Sequence, residues 1–225
     1  MKTHLVKIWD LPTRLFHWIL VAGIAFMWFS AEVSDTLMDW HARVGEFLLA
    51  LVLFRIIWGF VGSESARFIS FVRSPATAIN YAKTLTSRKP SWHAGHNPAG
   101  GWMVIALLGL LLVQGITGLF TSDDILVEGP LYALVPESVS DVMISIHHLA
   151  FNILLLLIVF HIAVIAYYKI VKQTNLVPAM IKGSAEWPEG HTPERALQFR
   201  SPWLGLILWA ACYAIVHFGL KWLSS

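Results

Sequence analysis

The sequence predicts an all-α integral membrane protein, a bundle of helices crossing the bilayer. Of its 225 residues 56% are hydrophobic and only 13% charged, with a mean hydropathy of +0.63, too apolar for an ordinary soluble domain. Five apolar stretches, at 14–31, 41–62, 99–120, 143–168 and 203–222, each approach the roughly 20 residues that a spanning helix needs. The segments between them sort by the sign of their charge.

The first stretch follows Lys2 and Lys7 and could pass for a signal peptide, but it carries His17 and several Trp, and no small-x-small cleavage site follows cleanly. Segment 32–40 holds Glu32, Asp35 and Asp39 without a base, and 121–142 holds five acids without one. Segment 63–98 has Arg67, Arg73, Lys83, Arg88 and Lys89; segment 169–202 has Lys169, Lys172, Lys182, Arg195 and Arg200. Basic loops stay in the cytoplasm. The reading is an inner-membrane protein with a cytoplasmic N-terminus and a periplasmic C-terminus after five crossings. Pro12, Pro98 and Pro202 suit first helical turns, and Asn97 suits an N-cap. Trp40, Trp58, Trp102, Trp203 and Trp222 fall near span ends, as interface anchors do. An amphipathic helix is expected around 75–86 on the inner surface.

The single cysteine, Cys212, excludes an intramolecular disulfide and any C-x-x-C-H attachment. No Walker, Rossmann or catalytic-triad pattern is present, and nothing points to nucleic acid.

Histidine inside hydrocarbon is costly without a partner and is a functional candidate by default. His147 and His161 are 14 residues apart, which is four helical turns less about 40°, so both point to nearly one side roughly 21 Å apart along the axis. His148, 13 residues from His161, is turned about 220° away and is the weaker candidate. In the expected topology His41 and His147 lie near the outer face, His17 and His161 near the inner one. Two pairs at matched depth suit two bis-imidazole iron sites, each holding a non-covalent haem between helices. Each histidine alone could instead be a hydrogen-bonded core residue. His93 and His96 belong to the inner loop, with a weak case for a quinone site. His217 reads as structural or interfacial, and His4 and His191 as solvated.

Arg55 follows His41 by 14 residues, hence on nearly the same helix side but one cofactor lower. Arg55 and Arg14 are candidates for the inner haem's propionates and Arg43 for the outer one's, since the guanidinium fork matches a carboxylate. Snorkelling to headgroups is the competing role for Arg14 and Arg43. Glu46 could pair with Arg43 three residues before it or handle protons. Gly45, Gly109, Gly115 and Gly118 could admit a flat macrocycle or serve helix packing.

WDLPTRLFHW at 9–18, FRIIWGFVGSESARFISFVRSP at 54–75, GHNPAGGWMVIALLGLLL at 95–112, IHHLAFNILLLLIVFHIAVI at 146–165 and NLVPAMIKG at 175–183 resemble the bacterial cytochrome b-561 and nickel-hydrogenase b-type cytochrome family. The resemblance implies a four-helix haem-binding core with two b haems between helices one, two and four, on His17, His41, His147 and His161. It covers 9–183, so residues 1–200 are expected to form the di-haem domain and 201–225 a fifth transmembrane helix.

The function expected is electron transfer between the quinone pool and a periplasmic redox partner, a c-type cytochrome or a hydrogenase-like subunit. The rivals are a stand-alone superoxide or quinone oxidoreductase and, more remotely, a His-lined metal-ion transporter.

Overall fold

The computed structural model describes residues 2–87, 92–122, 127–193 and 196–225, with Asp35 described by its backbone alone. Arg88, Lys89, Asp123, Asp124 and Arg195, which entered the loop-charge argument, lie outside the described residues. The elements run β1 (Thr3–Lys7), α1 (Leu11–Glu32), α2 (Met38–Val61), α3 (Phe68–Phe71), α4 (Pro75–Thr84), α5 (Pro98–Gly118), α6 (Glu137–Ile170), α7 (Val177–Lys182), β2 (Ser184–Pro188) and α8 (Pro202–Leu223). α1, α2, α5, α6 and α8 are long and apolar enough to cross a membrane, and the protein is a helical membrane bundle. With 34 residues, α6 is about 51 Å long, well beyond a hydrocarbon core of about 30 Å.

Local chemistry sets the helix starts. Asp10 accepts the Thr13 amide at 2.8 Å, so α1 begins behind an aspartate cap with Pro12 in its first turn. Asn97 accepts the Gly100 amide at 2.7 Å and Pro98 opens α5. Ser74 caps α4 the same way, ahead of Pro75, where the sequence places a surface helix.

By packing, the chain divides into two units. The first comprises Met1–Leu15, Ile57–Ala106 and Leu157–Gly205. It holds an antiparallel ribbon that the all-α reading lacked: β1 pairs with β2, Thr3 opposite Pro188 and Lys7 opposite Ser184. Val6, Ile8, Trp9, Ala179 and Trp187 form its core. His4 stands opposite Trp187 in this ribbon and is half-buried rather than solvated. Gly183 ends α7 at φ +88°, and a Cβ there would meet the Trp9 carbonyl oxygen at 2.9 Å, so glycine alone suits both the left-handed turn and the close approach. Pairing puts both strands on one side of a membrane, which requires an even number of crossings between them; α1, α2, α5 and α6 supply four.

Trp58 is fully buried and donates its indole N–H to the second carboxylate oxygen of Asp10 at 3.0 Å. It is therefore a core residue and no interface anchor: position near a span end was the whole basis of that expectation. Trp203 and Trp222 remain widely exposed.

The second unit comprises Phe16–Ile56, Leu107–Leu156 and Leu206–Ser225. Leu48, Leu49, Ala50, Leu51, Val52 and Phe54 of α2 are all buried in it, and α2 is the most enclosed of the five long helices. At Gly115 an added Cβ would lie 2.9 Å from Leu49 Cδ1, which assigns that glycine to helix packing.

Candidate functional site

Within the second unit α2 and α6 bring His41 and His147 together, with ring centres 6.5 Å apart and planes inclined at 62°. Both rings are half-buried. His148 is exposed, and its ring centre is 6.3 Å from that of His147. The helical phase that favoured His147 over His148 describes what the packing does.

The hydrogen bonds around the two rings assign their tautomers. Ser30 donates its hydroxyl to the Met27 carbonyl at 3.1 Å, so its oxygen is left to accept from Nδ1–H of His41 at 3.0 Å. Thr117 likewise donates to the Val113 carbonyl at 2.8 Å and stands 3.2 Å from Nδ1 of His147. The Gln114 carbonyl oxygen lies 3.1 Å from the same nitrogen. The Gln114 side-chain amide donates to Nε2 of His147 at 2.8 Å. In both imidazoles Nδ1 thus carries the proton and Nε2 the lone pair, the arrangement that ligating histidines adopt.

This geometry fits an iron site. Two imidazoles on one metal, with bonds of about 2 Å and ring centres about 1.2 Å behind each nitrogen, stand about 6.4 Å apart. The 6.5 Å between His41 and His147 matches that spacing, with Nδ1 of each ring already engaged; the Gln114 amide on Nε2 of His147 holds the place that the metal would take. A Cβ on Gly118 would lie 3.1 Å from Cε1 of His147, so this glycine makes room for the ring. A Cβ added at Gly45 would meet the Met27 methyl at 3.4 Å, and one at Gly109 would meet nothing within 4 Å.

The other expected residues are placed as follows. His17 is half-buried on α1 in the second unit, edge-on to Trp18 with ring centres 4.9 Å apart. His161 is half-buried on α6 and belongs to the first unit. Arg55 is 2% exposed inside α2, which excludes snorkelling for it. Arg14 donates to the Ile181 carbonyl at 2.5 Å, where it satisfies one of the last acceptors of α7. Arg43 is exposed and lies over the Trp40 ring, 5.7 Å from its centre.

Several polar partners escaped the sequence reading. Ser30, Gln114 and Thr117 were missed, though Gln114 and Thr117 are among the few polar residues of a 21-residue apolar helix. Glu46 is bonded to His217 at 2.7 Å, not held by Arg43. In the first unit Tyr168 joins Tyr81 at 2.7 Å and accepts from Asn97 at 2.9 Å, while the Tyr81 hydroxyl is hydrogen-bonded to Nε2 of His93 at 3.2 Å. Burial pushes the His93 imidazole below its ordinary range.

Residues 8–183 match the family described as prokaryotic cytochrome b561. The chain belongs to the prokaryotic cytochrome b561 family. Membership makes it a multi-pass membrane cytochrome of the b type, a haem b protein of electron transfer. Among relatives of this cytochrome, a probable Ni/Fe-hydrogenase B-type cytochrome subunit of Rhizobium leguminosarum bv. viciae is 26% identical, the match covering 79% of this chain and 87% of the relative. A protein of the same description from Bradyrhizobium diazoefficiens is 23% identical over 81% and 86%. No solved structure matches this b561-family chain at a significant level.

Proposed function

We propose that this chain moves electrons across the bacterial inner membrane through two non-covalent b haems, between the quinone pool and a periplasmic redox partner. The observation that carries the reading is the 6.5 Å separation of His41 and His147, with Nδ1 of each ring already engaged. These two residues hold the outer haem, and His17 and His161 the inner one. Residues 1–200 make the di-haem part and 201–225 add a fifth helix. The N-terminus is cytoplasmic and the C-terminus periplasmic.

Bound haem supplies the one-electron redox couple. The chain's own contribution is to position and tune. Ser30 and Thr117 lock the axial rings through their far nitrogens, which fixes ring orientation and raises ligand basicity. Arg55, enclosed in α2, would supply positive charge for the inner haem's propionates, Arg14 is the other candidate for them, and Arg43 would serve the outer haem. The apolar walls of α2, including Leu49, Val52 and Phe54, exclude water. Two relatives described as hydrogenase B-type cytochrome subunits support a hydrogenase-like partner ahead of a c-type cytochrome.

Pyridine haemochrome analysis against protein mass tests this directly. Two haems per chain, fully released by acid acetone, are expected. A ratio near one, or haem retained on the protein, overturns the two-site reading.

A further inference from the structure

In the second unit, Glu46 of α2 and His217 of α8 form a carboxylate–imidazole pair, Oε1 to Nδ1, at 2.7 Å. Glu46 lies eight residues inside the start of α2, and His217 six residues before the end of α8, about 12 Å and about 9 Å from those helix ends. Both belong to spanning-length helices, where ionisable groups are costly and mark function. α8 also lies beyond the residues matched to the family, which end at 183.

Holding α8 against α2 does not need ionisable groups. Phe47 meets Trp209 at 5.7 Å and Tyr213 at 6.3 Å between ring centres, and Tyr213 stacks on His217 at 10°. Apolar contact of this kind packs helices at least as well as a buried ion pair of similar volume. Nor is the pair sealed: the His217 side chain keeps 28% of its surface exposed and that of Glu46 23%. Lys221, one turn beyond His217, is exposed, as are Ser224 and Ser225. Lys221, Ser224 and Ser225 place polar groups between the pair and the end of the chain.

The relation to His41 suggests the use. Glu46 follows His41 by five residues on α2, about 7.5 Å along the axis and about 140° around it. The pair thus stands near the His41–His147 site while turned away from the gap between the two rings. Negative charge arriving at that site acts on the pair through a low-dielectric medium, where Coulomb attraction is many times stronger than in water.

We propose that Glu46 and His217 form a proton-accepting site coupled to electron arrival at the His41–His147 site, an inference resting on the haem reading above. The balance is simple. One electron enters the iron site, one proton from the aqueous edge joins the pair, and no bond breaks beyond re-sharing of the Oε1–Nδ1 hydrogen bond. Besides the pair, the charged and titratable groups on the long helices of this unit are His17 and Glu32 on α1, Asp39, His41, Arg43 and Arg55 on α2, Glu137, Asp141, His147 and His148 on α6, and Cys212, Tyr213 and Lys221 on α8; α5 carries none.

The test is a redox titration of both haems in purified full-length protein at several pH values, for wild type, Glu46→Gln and His217→Gln. In wild type the outer-haem potential should fall as pH rises, by up to about 59 mV per unit, which is a tenfold change for a one-electron couple. Each variant should flatten that slope and leave the inner haem's slope unchanged. A flat wild-type slope, or a shifted potential with the slope intact in the variants, overturns the proposal and leaves the pair as a helix anchor. Should the variants fail to fold, redox-difference infrared spectra of wild type decide: reduction must bring in a carboxyl or imidazolium signal, and its absence overturns the coupling. A wild-type spectrum with one haem only fails the haem reading itself, and that outcome is visible before any titration.

Discussion

Ser30 reaches Nδ1 of His41 from α1 at 3.0 Å, so a residue 11 positions earlier in the chain sets which nitrogen of that imidazole is free for metal. Thr117 of α5 stands in the same relation to His147 of α6, at 3.2 Å. Four helices therefore converge on one pair of rings, two of them supplying no histidine to it.

These supporting hydroxyls are open to direct measurement. Ser30→Ala and Thr117→Val should each weaken outer-haem binding by about 10- to 100-fold, the usual effect of removing an outer-shell partner of a ligating histidine. Haem transfer to an excess of apomyoglobin reads this as faster loss of one of the two haems. Equal loss of both haems, or none, would remove the orienting role.

His41→Ala and His147→Ala should each abolish the outer haem, because losing one axial imidazole leaves iron under-coordinated. The double variant should keep a single bis-imidazole spectrum from the inner site. His148→Ala should leave both spectra intact, as its ring is exposed.

Arg55→Gln should keep the inner haem but lower its reduction potential, since a positive charge that favours the added electron is gone. Arg55→Lys should be intermediate, because it keeps the charge and loses the fork. Redox titration of both haems measures this; a shift confined to the outer haem would assign Arg55 elsewhere.

Burial holds the imidazole of His93 below its ordinary range, so the fold binds the neutral ring. The unfolded chain protonates near pH 6.5 or so. Stability from this group is therefore fully present above that pH and declines as pH falls from there through the folded value. Thermal unfolding in detergent should show a melting temperature that falls as pH is lowered below about 6.5, with the drop smaller in His93→Gln. An identical pH dependence in wild type and variant would place the sensitive group elsewhere.

The spanning helices were legible because hydrocarbon demands long apolar runs, and the ends of each helix fall within three residues of the expected span except at α6, which starts at Glu137. The pairing of His41 with His147 was legible through depth and helical phase. Ser30 and Thr117 were not: a short hydroxyl side chain in a span reads as an ordinary packing residue until its neighbour is known. Glu46 and His217 were overlooked as a pair because histidines were matched to histidines, whereas a carboxylate satisfies an imidazole as well. Trp58 was misplaced because an indole near a span end fits an interface and a core equally, and only Asp10 decides between them. The β1–β2 ribbon joins two five-residue strands, too short for periodicity to separate from loop.

That ribbon has a consequence for how the molecule is made. Thr3–Lys7 pairs with Ser184–Pro188, so β1 is synthesised some 180 residues ahead of its partner. At about 5–20 residues per second this leaves it without its mate for roughly 10–40 s. Throughout that interval four apolar helices enter the bilayer while Val6 and Trp9 wait for Trp187. The ribbon is then a seal applied late in biogenesis, and its closure reports that every crossing before it has come out in the right direction.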